Sequence, residues 1–348
     1  MFAALLIILV AATPVLAQNQ LQPLIDEALA AGQSELRLPD GEIRADSRVY
    51  VDEASDLTIS GPRTTVIFTN PQDVGIMLRT CSRVTLRGFT IDCDPLPFTQ
   101  ATITDLSDDR SELLFEVHEG YPSLTEDYLV DHTYVYGQDG RLKRYVPDIY
   151  PKSVEALTDR RGRVVVSAGT PQLERVEVGD RIVLNMRKRS AISLHQCEDI
   201  TVEHVTVLSN PGIAFLGRYM RGENIFHGLR ITPGPPPAGA TEPRLMSAGA
   251  DGLNIAYAAR GPIIRGCTFE RQGDDSINLH GATFAVCAVG EGEVVLGRPY
   301  GGEPLDWALQ DGGTVRALTQ GTFEVTGEAP FNAIEKIREP DDAWRAGV

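Results

Sequence analysis

The sequence predicts an all-β fold, a parallel β-helix in which short strands stack coil upon coil. One phrase recurs along the chain: an aliphatic residue, a short pair, Gly or His, then two apolar residues separated by one other. Steps of 27 residues (57 to 84) and 25 residues (200 to 225) between these phrases have the size of one solenoid coil. Apolar residues alternate within each phrase, and the inner face can be buried only against stacked neighbours. The aliphatic residues that begin these phrases, which we call anchors, are aligned with one another at Leu57, Val84, Ile200, Ile225 and Ile263.

Two stretches are too long to be ordinary coils and predict inserted small β-barrel or sandwich modules. The 116-residue step from 84 to 200 contains strand-like runs separated by turn residues, which places one module at 94–187. A comparable series of strand-like runs predicts a second β-rich insert at 282–330. The β-helix coils would then occupy 18–93 and 188–281.

Both ends of the chain have their own character. Residues 1–17 are apolar and end in Ala17, which predicts a signal peptide and a secreted or periplasmic protein. That run is too short to span a bilayer well, and no other stretch approaches it, so no membrane span is expected. The run Leu21–Ala31 has helical periodicity and is expected to cap the first coil. Residues 331–348 show no clear further coil, which leaves open that C-terminal coils are missing.

The composition narrows the classes of partner. The formal net charge is −16, and Lys and Arg are scattered apart from the run MRKRS at 186–190. No nucleic-acid partner is expected, because such proteins present a basic face. The five cysteines are few and odd in number and lack zinc-ligand spacing, so we expect core residues. No metal and no cofactor are expected.

Three aspartates lie one repeat apart near the end of the second block of coils. The sequence DGLNI at 251–255 aligns with DSINL at 275–279, so that Asp251 matches Asp275 at a spacing of 24 residues, and Asp274 precedes the second block. If both blocks are strands of one parallel sheet, the matched aspartates lie roughly 4.8 Å apart at the backbone. Strict alternation would point Asp251 into the core, so we expect these aspartates in the turns that precede each strand.

Clustered carboxylates on a rigid sheet suit acid–base cleavage of a glycosidic bond. One carboxyl must protonate the leaving oxygen, and a second must activate water or attack the sugar. Two unit charges about 4 Å apart repel by about 4 kcal/mol at an effective dielectric near 20, which raises the pKa of one carboxyl. The catalytic prediction is therefore Asp251, Asp274 and Asp275, with the acid, the base and the stereochemistry open. The structural alternative is an Asp-rich turn that caps a coil.

Polar residues near the aspartates are predicted to bind substrate. They are Asn254, Asn278, His280, Arg218 and His195. His204 and His227 occupy equivalent positions of their phrases, so a role in turns is expected for them rather than ligation.

At these residues the chain resembles the right-handed parallel β-helix glycosidases of the pectate-lyase-like superfamily. The closest likeness, in ADGLNI at 250–255 and GCTFERQGDDSINLHG at 266–281, is to glycoside hydrolase family 110, the α-1,3-galactosidases. The resemblance implies inverting, metal-free cleavage of terminal α-galactosides, with Asp251 as the acid and Asp274 and Asp275 as the base.

The chain departs from the related patterns at identifiable residues. Family 110 motifs tend to carry a histidine where this chain has Asn254. The more distant polygalacturonase-like family 28 shares the one-then-two layout of aspartates. Its NTD triplet is here Gly249-Ala250-Asp251, and its GHG and RIK motifs are absent.

Two other functions fit the same fold. A calcium-dependent polysaccharide lyase would use the acidic residues to hold the metal and Lys188 or Arg218 as the base. A non-catalytic carbohydrate-binding or adhesion β-helix would need no carboxylate chemistry. All three readings expect an oligo- or polysaccharide partner, and they leave the sugar, the linkage and the oligomeric state open.

Overall fold

The computed structural model describes residues 19–130, 132–146, 149–167, 171–281, 283–297 and 313–333. The predicted signal peptide at 1–17 and most of the C-terminal segment 331–348 lie outside the described residues. Within the described residues, no helix combines the length and the apolar character needed to cross a membrane.

The described chain consists almost wholly of short strands. The first block contains α1 (Leu21–Ala30), β1 (Glu35–Arg37), β2 (Gly41–Ala45), β3 (Val49–Asp52), β4 (Thr58–Ser60), β5 (Thr64–Phe68), β6 (Ile76–Arg79), β7 (Thr85–Arg87) and β8 (Thr90–Cys93). The next strands are β9 (Phe98–Leu106), β10 (Glu112–Val117), β11 (Thr133–Tyr136), β12 (Ser153–Ala156), β13 (Arg161–Val165) and β14 (Arg181–Asn185), with 3-10 helices at Glu126–Tyr128 and Pro171–Arg175.

The second half of the described chain also consists of short strands. It contains β15 (Ile192–His195), β16 (Thr201–Glu203), β17 (Thr206–Val207), β18 (Phe215–Arg218), β19 (Ile225–His227), β20 (Arg230–Ile231), β21 (Leu253–Ala256), β22 (Ile263–Arg265), β23 (Thr268–Phe269) and β24 (Ile277–His280). Two hairpins follow, β25 (Ala285–Val289) with β26 (Val294–Gly297), and β27 (Thr314–Leu318) with β28 (Val325–Pro330).

Three parallel six-stranded sheets form the body of the molecule, and each coil adds one strand to each sheet. Sheet 1 has the order β1-β4-β7-β16-β19-β22, sheet 2 the order β2-β5-β8-β17-β20-β23, and sheet 3 the order β3-β6-β15-β18-β21-β24. This is a parallel β-helix, so the predicted fold class is confirmed. The inward-facing aliphatic residues of the three sheets form one continuous core, which helix α1 covers at the first coil through Leu21, Ile25 and Ala28.

The chain between the two blocks of coils forms a separate layer. Strands β9 to β14 make one antiparallel sheet in the order β11-β14-β9-β10-β13-β12, with its own apolar core. The coils on either side of it are direct neighbours, because β15 pairs with β6 and sets Ile192 opposite Ile76. The chain therefore leaves the β-helix after β8, forms these six strands, and returns at β15 without interrupting the stack of coils.

The register corrects one predicted alignment. Strand β16 pairs with β19 so that Thr201 faces Ile225, and the partner of Ile200 is therefore Asn224, not Ile225. Asn224 is 2% exposed, and its Oδ1 accepts a hydrogen bond from the Ile200 amide at 3.1 Å. A buried, hydrogen-bonded asparagine thus occupies an anchor position where an aliphatic residue was expected. The same one-residue shift in register places His204 opposite Gly228, so His204 and His227 do not occupy equivalent positions in their coils.

The cysteines follow their prediction only in part. Cys81, Cys93 and Cys197 are buried, as expected of core residues, and Cys267 is half-buried. Cys287 is exposed because it lies on the β25–β26 hairpin, so the core prediction is wrong there.

Candidate active site

Asp251 lies in the turn before β21, at the edge of sheet 3. The turn stacks on the equivalent turn of the next coil, where the Gly252 amide donates to the Asp275 carbonyl at 2.8 Å. The strands that follow pair in the expected register, with Leu253 opposite Ile277 and Asn254 opposite Asn278. The expected placement of the aspartates in turns, with matching strands behind them, is therefore confirmed.

A chain of hydrogen bonds orients the Asp251 carboxyl. Arg218 on β18 donates from Nη1 to Asn254 Oδ1 at 2.8 Å, and Asn254 Nδ2 donates to Asp251 Oδ2 at 2.6 Å. Because the guanidinium can only donate, it requires the amide oxygen to face it, and the amide NH₂ must then face Asp251. Arg218 thus positions Asn254, and Asn254 positions the carboxyl.

The surroundings of Asp251 favour its protonated form. Asp251 is only 5% exposed. Burial raises the pKa of its carboxyl, and the nearby charges of Asp274 and Asp275 raise it further, against the lowering effect of the Asn254 hydrogen bond. A carboxyl whose pKa is raised beside other carboxylates is suited to act as a general acid.

Asp274 has the opposite environment. Its carboxyl is 41% exposed, and its Oδ2 accepts a hydrogen bond from Arg187 Nη2 at 2.8 Å. Its Oδ1 accepts from the Asp275 amide at 3.1 Å. Arg187 and Asp274 thus form an ion pair beside the cleft, and a carboxylate is the group a general base requires.

Asp251 and Asp274 line one open cleft of about 450 Å³. The other lining residues are Arg187, Lys188, Ser190, Gly212, Ile213, Ala250, Asn254 and Asn278. A water molecule and a sugar ring can both enter a cleft of this size, since a water occupies about 30 Å³ of liquid.

The remaining predicted site residues do not line this cleft. Asp275 is exposed and accepts a hydrogen bond at Oδ2 from Asn278 Nδ2 at 3.0 Å. His195, Arg218 and His280 project from one row along sheet 3. The His195 ring lies edge-on to Tyr219, and the His280 ring edge-on to Tyr257. A role for the two histidines in substrate binding stays a prediction.

Arg187 is the main site residue that the sequence did not reveal. It follows β14, at the point where the antiparallel layer rejoins the β-helix, and it has a left-handed φ of +40°. Such a backbone is strained in a residue other than glycine and is often found at functional sites. The sequence signal at this position is the basic run at 186–190.

The antiparallel layer also holds the turn that carries Asp251. Tyr134 Oη and Asn185 Nδ2 both donate to the Gly249 carbonyl at 2.9 Å. A Cβ added to Gly249 would lie 2.2 Å from the Pro211 carbonyl oxygen and 2.4 Å from the Asn185 amide. The close packing of this backbone explains the glycine two residues before Asp251.

We expect Gly249→Ala to lower activity about 100-fold, because a displacement near 1 Å of a catalytic group has that effect. The matched control is Gly261→Ala, since a Cβ there meets nothing within 4 Å. The measurement is kcat/KM of both variants, with circular dichroism to verify folding. Equal kcat/KM values for the two variants would show that activity does not depend on the position of the turn that carries Asp251.

Among the described residues, the side chains spaced to share a metal ion are Glu203, His204 and His227, which lie on another edge of the β-helix. At the aspartates, the Arg187 guanidinium donates to Asp274 Oδ2.

Comparisons with known proteins found similarities at low sequence identity. No protein-family model matches the chain. In sequence it is similar to α-1,3-galactosidase B of Bacteroides thetaiotaomicron, at 22% identity over 262 residues, which are 69% of this chain and 41% of that protein. The chain therefore spans less than half the length of this relative.

Two solved structures are also similar. A candidate glycosyl hydrolase from Parabacteroides merdae has 13% identity and a TM-score of 0.33, over 73% of this chain and 90% of that one. The gp54 tailspike of Acinetobacter baumannii bacteriophage AP22, solved with capsular saccharide, has 12% identity and a TM-score of 0.20, over 77% and 44%. At these scores neither structure carries an argument about function.

Proposed function

We propose that this protein is a glycoside hydrolase that cleaves terminal α-galactosides with inversion of configuration. The observation that carries the proposal is the pair of unlike carboxyls in one cleft: Asp251, buried with a raised pKa, and Asp274, ion-paired with Arg187. The distant sequence similarity to an α-1,3-galactosidase supports the choice of substrate class.

The proposed reaction uses the two carboxyls on opposite sides of the scissile bond. Asp251 gives its proton to the glycosidic oxygen as the bond from that oxygen to the anomeric carbon breaks. Asp274 takes a proton from the water that attacks the same carbon. Both carboxyls then exchange protons with solvent, which restores the starting state. Asp275 is one residue from the base and adds negative charge near Asp251.

The test is a panel of aryl α- and β-glycosides, with the first-formed product anomer followed by NMR. We expect turnover of α-galactosides and release of the β-sugar. Release of the α-sugar would contradict inversion, and turnover of another sugar would contradict the substrate class. Absence of all hydrolysis, with saccharide binding intact, would favour the adhesion alternative.

A calcium-dependent lyase is the second candidate, since Lys188 lines the cleft. Formation of an unsaturated, ultraviolet-absorbing product only in the presence of calcium would show that the protein cleaves its substrate by elimination and not by hydrolysis.

A further inference from the structure

A second group of polar side chains lies at the corner where the chain passes from sheet 1 to sheet 2. Glu203 ends β16, His204 follows it, and His227 ends β19 on the next coil. One ligand atom from each lies within 4.8 Å of the other two, and the two imidazole rings are 4.9 Å apart at their centroids. The aspartates precede strands of sheet 3, so this corner is a different edge of the β-helix.

His204 occupies a backbone position that neighbouring coils reserve for glycine. Its φ is +53°, and the equivalent corner residues are Gly88, Gly228 and Gly266, with φ values of +82°, +63° and +59°. A left-handed backbone costs an ordinary residue roughly 1–2 kcal/mol, and glycine avoids that cost. The histidine is thus placed at a strained corner where glycine would be more stable.

The corner also leaves both imidazoles available for a ligand. Within the part of the chain that the structure describes, no hydrogen-bond partner is found for the ring nitrogens of His204 or His227, and both side chains are exposed. Gly228 makes room for the His204 ring, because a Cβ at residue 228 would lie 2.5 Å from His204 Nδ1.

We propose that Glu203, His204 and His227 bind a transition-metal ion, Zn²⁺ being the representative case. Two imidazoles and a carboxylate are a donor set that zinc accepts, with water completing the coordination. Zinc–nitrogen and zinc–oxygen bonds near 2.0–2.2 Å require the ligand atoms to approach by about 1 Å, which the two exposed imidazoles can do by small rotations.

Two arginines limit the affinity of the site. The Arg87 guanidinium pairs with Glu203 Oε1, which leaves Oε2 as the oxygen for a metal ion. Arg265 stands beside His227 on the next strand of sheet 1. Calcium and magnesium should bind poorly, because they prefer oxygen ligands. The bound ion would link two consecutive coils immediately before the coil that carries Asp251.

The test is calorimetric titration of the metal-free, untagged full chain with ZnCl₂. We expect saturable binding of one ion, weakened about 10-fold or more by His204→Asn or His227→Gln. Asparagine is chosen at 204 because it tolerates a left-handed backbone. Zinc should also raise the midpoint of thermal unfolding of the wild type more than that of either variant.

A matched pair of glycine variants separates the site from general strain. Gly228→Ala and Gly266→Ala impose the same left-handed strain, but only the first pushes a methyl group into the His204 ring; at Gly266 the nearest atom of His227 is 3.8 Å away. We expect Gly228→Ala to weaken zinc binding and Gly266→Ala to preserve it. Absence of saturable zinc binding, or binding unchanged by the two histidine variants, would overturn the proposal.

Discussion

Asp251→Asn is expected to lower kcat/KM for glycosides with poor leaving groups by about 10²–10⁴-fold, because the proton donor is lost. Asparagine keeps the shape of the side chain and can still hydrogen-bond to Asn254, so the turn should persist. The control is Asp52→Asn, at the other end of sheet 3, where the carboxylate pairs only with Arg79 among the described residues. An Asp251→Asn enzyme with near-wild-type activity would remove this residue from the mechanism.

The same substitution should change how activity depends on pH. The proposed acid must be protonated, so wild-type kcat/KM should fall as the pH rises through the raised pKa of Asp251. A variant without this carboxyl should lack that alkaline decline in its residual activity. The measurement is kcat/KM against pH for both proteins, and identical profiles would assign the decline to another group.

Asp251→Asn should stabilise the folded protein at neutral pH, although it lowers activity. Because the pKa of Asp251 is raised in the folded state, the folded protein holds this proton more tightly than the unfolded chain. That stabilisation is complete below the unfolded pKa of about 3.9 and is lost as the pH rises through the folded pKa. Asp251→Asn should therefore unfold at higher denaturant concentration than wild type at neutral pH, and the difference should shrink in acid.

Asp274→Asn is expected to cause a loss of similar size, about 10²–10⁴-fold, because the attacking water loses its base. The paired control is Asp275→Asn, one residue away on the same turn but outside the cleft lining. We expect the larger loss at Asp274. A larger loss at Asp275 would transfer the role of base to that residue.

The sequence predicted the parts of the site that repeat. The match of DGLNI to DSINL gave the coil spacing and the register at Asn254 and Asn278, because identical polar–apolar order specifies pairing in a parallel stack. The conflict between strand alternation and Asp251 correctly predicted a turn position. Both inferences depend only on local pattern.

What the sequence could not give comes from contacts between distant segments. Arg187 reaches Asp274 across 87 residues of chain, and Tyr134 reaches Gly249 across 115. No repeat links these pairs, since the antiparallel layer has its own pattern. The alignment at Asn224 failed for another reason: a buried, hydrogen-bonded asparagine replaced the apolar residue on which the pattern depended.

The most direct test of a proton-donating Asp251 facing a water-activating Asp274 is the dependence of each variant on the leaving group. A dinitrophenyl glycoside needs little protonation as it leaves, whereas an alkyl glycoside needs a full proton transfer. We predict that Asp251→Asn hydrolyses the dinitrophenyl glycoside nearly as fast as wild type and the alkyl glycoside far more slowly, while Asp274→Asn is impaired on both. Equal impairment of Asp251→Asn on the two substrates would contradict the assignment of Asp251 as the acid.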